Sequence, residues 1–355
     1  MENIHQEPIN KRITWLFNLA KQYGDTFSSS ETALARERYL SQHPTAIIAL
    51  KCMDGRINIP IATQTPPGIV MPFRNLGGLF DLGWPHLGEV LSQHVLHKIN
   101  EGRRVLMLIT YHWSKGIKSR GCAGFDYNTD AALANTLNIR KQVEYIFGQS
   151  HDSVYPLVVG FETDEDALLI HGANNQTLNL AETSLPKNLE PSLKSLLPDM
   201  PEQIRNDLLP LLEGNRNHIN QVREQAKSNS RQLDIEHHEW IMCLGRGFDF
   251  LHKPNLALII GPYSPDLADP IRNAASIIKN NMAAGRIPDD GFLLLASVPY
   301  YDIGVDKARA ELKAKFLTHY AANVLQLEFK ELAKKMIVKT AVLDWRSRRL
   351  EMIDL

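Results

Sequence analysis

Apolar runs of strand length alternate with stretches of helical character along the first half of the chain. The runs "AIIALKC", "RRVLMLITYH" and "VYPLVVGFE" predict buried strands, and an acidic turn, "TDEDA", joins the third run to a further strand. Helices are predicted for residues 9–44, for residues 84–101 and for "DAALANTLNIRKQVEYIF". The Pro- and Gly-rich stretch "TQTPPGIVMPFRNLGG" predicts a loop. Strands that alternate with helices indicate an α/β domain with a partly parallel sheet.

The second half of the chain repeats this pattern in a weaker form. Residues 181–230 are polar, interrupted by prolines and helical in character, and two apolar runs follow them, "LALIIGPYSPDL" and "GFLLLASVPYYDIG". The first of these is similar to "AIIALKCMDGRI" and the second to "VLMLITYHWSKG", since each is an apolar strand that runs into a polar loop. We therefore expect a degenerate structural repeat whose second copy carries neither Cys nor His at these strand ends.

Composition limits the class of protein. The 355 residues are enough for two domains, and the 44% hydrophobic and 22% charged content is typical of a globular protein. The net charge of -1 argues against nucleic acid as the main ligand. No apolar run approaches the roughly 20 residues that a membrane span needs, and the N-terminus lacks the apolar core of a signal peptide. These features predict a cytoplasmic protein.

Three cysteines, Cys52, Cys122 and Cys243, raise the question of their chemistry. An odd, sparse set argues against a disulfide framework and leaves core packing, nucleophilic catalysis or metal binding. Cys243 lies in the apolar run "WIMCLGRG" without His or acidic residues at ligand spacing, so we expect it in the core.

Cys52 and His112 stand at the ends of two predicted strands, and Cys122 follows ten residues after His112 in a Gly-flanked loop. Ligands gather at the carboxyl ends of strands in open α/β sheets. Two thiolates and one imidazole suit Zn²⁺, and three protein ligands leave the fourth tetrahedral position open for water, which is typical of catalytic zinc. Taken singly, Cys52 would be core filler and His112 a core histidine.

Asp54 and Arg56 follow Cys52 at alternate positions. Residues two apart in an extended segment project to the same side, so Asp54 is expected to reach the space beside the Cys52 sulfur and Arg56 to hold Asp54. The guanidinium would keep the carboxylate ionised and oriented. The alternative is a plain surface ion pair of little energetic consequence.

The pattern C-x-D-x-R, followed by a His and a second Cys, resembles the active-site signature of β-class carbonic anhydrases. The ten-residue spacing from His112 to Cys122 is similar to that of the divergent carboxysomal shell carbonic anhydrase family. The segments "LITYHWSKGIKSRGCAGFDYNTD", "LVVGFETDEDALLIHG" and "WIMCLGRGFDFLHKPNLAL" resemble segments of that family in the same order, and "PFRNLGG" resembles the Arg-Asn active-site loop of β-class enzymes.

The resemblance implies an α/β fold in three parts. These are a helical N-terminal segment over residues 1–45, a zinc-binding catalytic domain over 46–236, and a C-terminal domain of related fold without zinc ligands over 237–355. In that family the last two parts together mimic the dimer of ordinary β-class enzymes. The implied activity is zinc-hydroxide-catalysed hydration of CO₂ to bicarbonate.

The same resemblance implies roles for five residues. Cys52, His112 and Cys122 would hold Zn²⁺, while Asp54 and Arg56 would be catalytic. Only about 45 residues precede the predicted catalytic domain, whereas the carboxysomal enzyme carries a long extension there, which puts carboxysome association in doubt. A homodimer is one possible assembly.

Three rival functions stay open at this point. The same zinc scaffold could process another small heterocumulene such as CS₂. The protein could instead be a non-catalytic or partner-dependent zinc scaffold that binds bicarbonate, although a structural zinc site is normally closed by four protein ligands. A third possibility makes Cys122 a nucleophile with His112 as its base, which leaves Cys52, Asp54 and Arg56 without a role.

Two further groups of histidines call for an interpretation. His237 or His238 could ferry protons between the site and buffer, although an exposed linker histidine is the simpler expectation. His86, His94 and His97 fall on one predicted helix without thiol or acidic partners, so we expect a solvated helix face.

Overall fold

The strands predicted from the apolar runs form two separate sheets in the computed structural model, which describes residues 3–227, 236–251 and 255–354. The chain divides into two units, which we call unit A (Ala35–Cys52 and Ile57–Ile235) and unit B (Met1–Leu34, Met53–Arg56 and Glu236–Leu355). The predicted domain boundaries 1–45, 46–236 and 237–355 remain a prediction. The units differ from them in grouping residues 1–34 and 53–56 with the C-terminal part of the chain.

Unit A contains a six-stranded sheet in the order β2-β1-β3-β4-β5-β6, with β1 to β4 parallel and β5 and β6 antiparallel. The strands are β1 Ala46–Cys52, β2 Val70–Asn75, β3 Val105–Trp113, β4 Val154–Glu162, β5 Ala167–His171 and β6 Thr177–Asn179. The helices between residues 3 and 227 are α1 Ile9–Phe27, α2 Ser30–Gln42, α3 Ile59–Ala62, α4 Pro85–Asn100, α5 Thr129–Phe147, α6 Glu190–Leu196 and α7 Glu202–Lys227. Of these, α1 belongs to unit B.

Unit B contains a five-stranded sheet in the order β11-β10-β9-β7-β8, parallel except for the β10–β11 hairpin. The strands are β7 Ile241–Gly245, β8 Ala257–Ile260, β9 Phe292–Tyr300, β10 Met336–Asp344 and β11 Leu350–Ile353, and the helices are α8 Ala268–Ala283, α9 Val305–Glu328 and α10 Lys330–Ala333. The predicted mixed α/β fold class is confirmed. No helix in the described part of the chain is long and apolar enough to cross a membrane.

The local sequence explains why the central elements form. Every residue of β1 is buried, which is why this strand is an apolar run, broken only by Lys51, rather than an alternating pattern. Helix α5 begins where the Asn128 side chain accepts a hydrogen bond from the Ala131 amide at 3.1 Å. Helix α4 begins with Pro85 in its first turn, where the missing amide hydrogen is tolerated.

The predicted loop over "TQTPPGIVMPFRNLGG" is wrong in part, since Val70–Asn75 forms strand β2. The prolines in this stretch are the reason that the sequence pattern predicts a loop rather than a strand. Pro72 is tolerated because β2 lies at the edge of the sheet and pairs on one side only, with β1.

The two sheets repeat the same topology, as the degenerate repeat predicted. The order β2-β1-β3-β4-β5 in unit A matches β8-β7-β9-β10-β11 in unit B, with an antiparallel hairpin last in both. The match predicted between "VLMLITYHWSKG" and β9 agrees with this order. The match between "AIIALKCMDGRI" and β8 is wrong, because β7 is the counterpart of β1. Both β7 and β8 are buried apolar strands, so composition could not tell them apart.

Equivalent hydrogen bonds support the repeat. The turn of the first hairpin covers four residues, 163–166, and that of the second covers five, 345–349. In both, the first amide of the turn donates to the last carbonyl of the neighbouring parallel strand at 2.9 Å. Strands β4 and β10 are equivalent in the two sheets, and they end at Glu162 and Asp344. Each of these carboxylates accepts a hydrogen bond from the amide two residues later at 3.0 Å. The ladder registers place Arg246 and Pro299 where unit A has Cys52 and His112.

Candidate metal centre

Three of the predicted site residues lie together in unit A. Cys52 ends β1, His112 lies near the end of the adjacent parallel strand β3, and Cys122 follows in the loop after β3. One ligand atom from each residue lies within 4.8 Å of the other two. The residues are 6%, 3% and 3% exposed, so the cluster is sheltered from bulk water. Among the described residues no other group of three or more Cys, His, Asp or Glu side chains meets the geometry of a metal site.

The ring nitrogens of His112 show that these residues fit a metal ion. Both Nδ1 and Nε2 are buried, and neither has a hydrogen-bond partner. A buried polar atom without a partner costs about 1–3 kcal/mol, so such atoms are rare in native proteins. A metal ion bound by one ring nitrogen and the two cysteine sulfurs would remove part of this cost. The donor set of two sulfurs and one imidazole suits Zn²⁺.

A close contact between two loops brings Cys122 to the strand ends. A Cβ atom at Gly124 would lie 2.6 Å from the Gly77 Cα atom, which is closer than real Cβ contacts come. Gly77 belongs to the "NLGG" turn that follows β2, the strand beside β1. Because neither loop carries a side chain at this point, the loop with Cys122 can pack against the turn beside Cys52.

The acidic turn between β4 and β5 holds the long loop that links His112 to Cys122. Asp164 accepts hydrogen bonds from the Ser114 hydroxyl at 2.8 Å and from the Gly116 amide at 2.6 Å. Glu162 accepts from the Lys115 amide at 3.1 Å, and burial raises the pKa of its carboxyl. The hairpin predicted for "TDEDA" is confirmed. Its contacts with the loop between His112 and Cys122 could not be predicted from the sequence. They are long-range, about 50 residues apart along the chain.

Asp54 and Arg56 form a buried ion pair in unit B. Arg56 Nη2 lies 2.6 Å from Asp54 Oδ2, and Nε lies 3.1 Å from both carboxylate oxygens. The Arg56 amide also donates to Asp54 Oδ1 at 2.8 Å. The two residues are 5% and 3% exposed, so the alternative of a surface ion pair is wrong. Several charge-assisted hydrogen bonds fix the carboxylate in one orientation.

Two buried cations of unit A hold the backbone on either side of residues 53–56. Arg74 donates to the Cys52 carbonyl at 3.2 Å and to the Ile57 carbonyl at 3.1 Å. Lys51 also donates to the Ile57 carbonyl, at 3.1 Å. Arg74 belongs to "PFRNLGG", the stretch that resembles an active-site loop. Lys51 gave no sequence signal beyond a charged residue inside an apolar strand, which is itself an indication of a buried partner.

The histidine pair before β7 is not an exposed linker, so that expectation is wrong. His238 is buried, and the His237 side chain is only 20% exposed. His237 Nδ1 lies 2.9 Å from a carboxylate oxygen of the fully buried Glu239, which also accepts from the Asn281 amide group at 3.1 Å. Burial alone would raise the pKa of Glu239, but the charge and hydrogen bond of His237 outweigh it, and the pKa is lowered.

The remaining candidates carry no metal chemistry in the described residues. Cys243 is fully buried in β7, in agreement with the expected core position. His97 is exposed at the end of α4, with its side chain 66% accessible, whereas His86 and His94 on the same helix are half-buried. The helix face is therefore solvated at one of its three histidines only.

The fold and the cluster define a class of protein: a mixed α/β protein with a Cys-His-Cys centre at the carboxyl edge of a parallel sheet. Residues 39–188 match the family Carboxysome Shell Carbonic Anhydrase, catalytic domain. This part of the chain is similar to that family, and the resemblance seen in the motifs is confirmed. The matched residues include all five predicted site residues.

Solved structures of β-carbonic anhydrases are also similar to the chain. The β-carbonic anhydrase CcaA is 13% identical with a TM-score of 0.33, over 44% of this chain and 87% of that chain. The β-carbonic anhydrase CafA of the fungal pathogen Aspergillus fumigatus is 15% identical with a TM-score of 0.28, over 50% of this chain and 94% of that chain. No curated protein matches the chain.

Proposed function

We propose that the protein is a carbonic anhydrase that interconverts CO₂ and bicarbonate with Zn²⁺ held by Cys52, His112 and Cys122. The observation that carries the proposal is the buried cluster of these three residues, in which both nitrogens of the His112 ring lack a hydrogen-bond partner. The family match over residues 39–188 supports the reaction class. A Cys₂His set with three protein ligands favours a catalytic site over a structural one, which usually has four.

Bound Zn²⁺ would lower the pKa of water from about 15.7 to about 7 and so supply a nucleophile at neutral pH. Asp54 follows Cys52 after one residue, and its carboxylate, when ionised, can only accept hydrogen bonds. The Arg56 guanidinium and amide keep that carboxylate charged and fixed. Asp54 would therefore accept a hydrogen bond from the nucleophile, and this bond would orient the lone pair of the nucleophile toward CO₂. Arg56 acts by orienting Asp54.

The test is stopped-flow CO₂ hydration between pH 7 and 9, with the zinc content of each sample measured. We expect rapid hydration with about one zinc per chain and the loss of both in Cys52→Ala, since this change removes a ligand. Cys243→Ala is the matched control, because Cys243 is equally buried but lies outside the cluster. It should keep zinc and activity. In Asp54→Ala, zinc should stay bound while kcat falls about 10²-fold or more.

Other outcomes would point to the rival functions. A wild-type protein that binds zinc but does not hydrate CO₂ contradicts the proposal and favours the non-catalytic or partner-dependent scaffold. Full activity in Asp54→Ala contradicts the role of Asp54. Turnover of CS₂ without turnover of CO₂ would move the proposal to that substrate.

The family description also bears on location. Its members are described as enzymes of the carboxysome shell, which supports association of this chain with a carboxysome. Cosedimentation of the protein with purified shells tests this association, and its failure would favour the cytoplasmic location without affecting the proposed reaction.

A further inference from the structure

Residues 53–56 run beside β8, at the edge of the sheet in unit B. The Ile259 amide donates to the Met53 carbonyl at 2.8 Å, and Asp54 forms an antiparallel bridge with Leu258. The chain on both sides of this segment, Cys52 and Ile57, belongs to unit A. The segment that carries Asp54 and Arg56 therefore extends the β8 edge of the sheet in unit B.

Gly55 continues the same antiparallel register, opposite Ala257 of the edge strand. A Cβ atom at Gly55 would lie 2.5 Å from the carbonyl oxygen of Ala257, a distance that real Cβ atoms essentially never show. The obstacle is backbone, which cannot turn away as the tip of a long side chain can. A side chain at position 55 must therefore push the segment away from β8.

The orientation of the acid depends on the path of this backbone. The Arg56 amide donates to Asp54 Oδ1, so the ion pair includes main chain as well as side chain. The charges of Asp54 and Arg56 also act on the buried carboxyl of Glu239, which immediately precedes the β7 region of the same unit. A shift of the segment at Gly55 would thus change the direction in which Asp54 accepts its hydrogen bond.

We propose that the edge strand β8 is a positioning element for the reaction and that Gly55 is the positioning residue that lets the catalytic segment seat against it. This inference rests on the proposed function. Strand β8 positions Asp54 through backbone contacts, and no side chain of β8 needs to touch the substrate.

Gly55→Ala is the first test, measured on zinc-loaded protein. We expect kcat for CO₂ hydration to fall about 10- to 100-fold, because a misplacement near 1 Å can cost that much. The zinc content and the absorption spectrum of the Co²⁺-substituted protein should stay as in the wild type, since the three ligands are unchanged. Gly83→Ala is the control, because a Cβ there meets only the Asp81 side chain. It should keep full activity.

A double variant separates positioning from a general structural effect. If Gly55 acts through Asp54, Asp54→Ala/Gly55→Ala should be no slower than Asp54→Ala alone. Rate losses that multiply would overturn the inference, as would full activity in Gly55→Ala. A wild-type protein without hydration activity would overturn the proposed function instead, and the inference with it.

A measurement on the wild-type protein covers the case in which Gly55→Ala does not fold. The Ile259 amide should exchange slowly with solvent deuterium, since the Met53 carbonyl accepts its hydrogen. Exchange of this amide at the rate of an exposed edge strand would show that the segment does not pair with β8 and would overturn the inference.

Discussion

At the scale of single residues, the buried side chain of His5 shows how its surroundings change a pKa. Its ring packs against the ring of His238, with centroids 4.8 Å apart. Burial and then the charge of His238 lower the pKa of His5 to about 4, with Arg12 acting in the same direction and Glu239 against it. The folded protein therefore keeps His5 neutral at pH values at which an unfolded chain would protonate it.

This difference predicts a dependence of stability on pH. An unfolded histidine titrates near pH 6.5, so the unfolded state binds more protons than the folded state between about pH 6.5 and 4. The free energy of unfolding should be unaffected by His5 above this window and should fall as the pH decreases through it, by on the order of 3 kcal/mol. Urea titrations of wild type and His5→Asn at pH 7 and pH 4.5 measure the effect.

The comparison between variants isolates His5 from other titrating groups. The loss of stability between the two pH values should be smaller in His5→Asn than in the wild type. His319→Asn, at an exposed position of α9, should lose as much as the wild type. Equal losses in wild type and His5→Asn would contradict the prediction.

At the scale of elements, the loop between β3 and α5 depends on the turn between β4 and β5. Ser114 and Gly116 are bound to Asp164, and Cys122 lies further along the same loop. The turn residues act on the metal centre only through the loop. Groups that orient metal ligands typically change metal affinity about 10- to 100-fold when removed.

We therefore expect Asp164→Ala to weaken zinc binding by about 10- to 100-fold, measured by competition with a chelator. The fold should persist, because the hairpin keeps its ladder between β4 and β5. Glu182→Ala, which removes an exposed acidic side chain outside this turn, is the control and should leave zinc affinity unchanged. Wild-type affinity in Asp164→Ala would mean that the loop holds Cys122 without the turn.

At the scale of the whole molecule, the start of the chain belongs with its end. Helix α1 lies in unit B, where the Arg12 guanidinium donates to the Asp290 carboxylate at 2.5 Å and lies over the Trp240 ring at 5.1 Å. Asp290 also accepts the Ile9 amide at 2.7 Å. Arg12 is fully buried, so its guanidinium is sheltered from solvent. Unit B is thus assembled from pieces about 280 residues apart along the chain.

Arg12→Met should lower the free energy of unfolding by about 2 kcal/mol, since a charged hydrogen bond and a cation–π contact are lost in a buried place. The partner Asp290 is partly exposed and can be hydrated, which limits the cost. Lys21→Met, on the exposed side of α1, is the matched control and should change stability by less than about 0.5 kcal/mol. Equal stability of both variants would contradict a structural role for Arg12.

The sequence by itself determined strands β1, β3, β4, β5, β8 and β9, several helices of the first half of the chain and the candidate ligands. Apolar runs such as β1 and β3 must be buried, and the types and positions of Cys52, His112 and Cys122 were visible without a fold. Strand β2 was not predicted because its proline, Pro72, is tolerated only in an edge strand, and the position of a strand at an edge is a property of the whole sheet. Likewise, β7 and β8 could not be ordered, because both are equally apolar.

Only the tertiary structure decided how the polar groups are held. The pairing of residues 53–56 with β8, the contact of Asp164 with the ligand loop and the burial of His238 and Glu239 all join residues far apart in the sequence. Hydrophobic patterning specifies which residues are buried, because burial follows from the chemistry of each side chain. Which buried groups meet depends on the packing of the whole chain, and no local pattern records it.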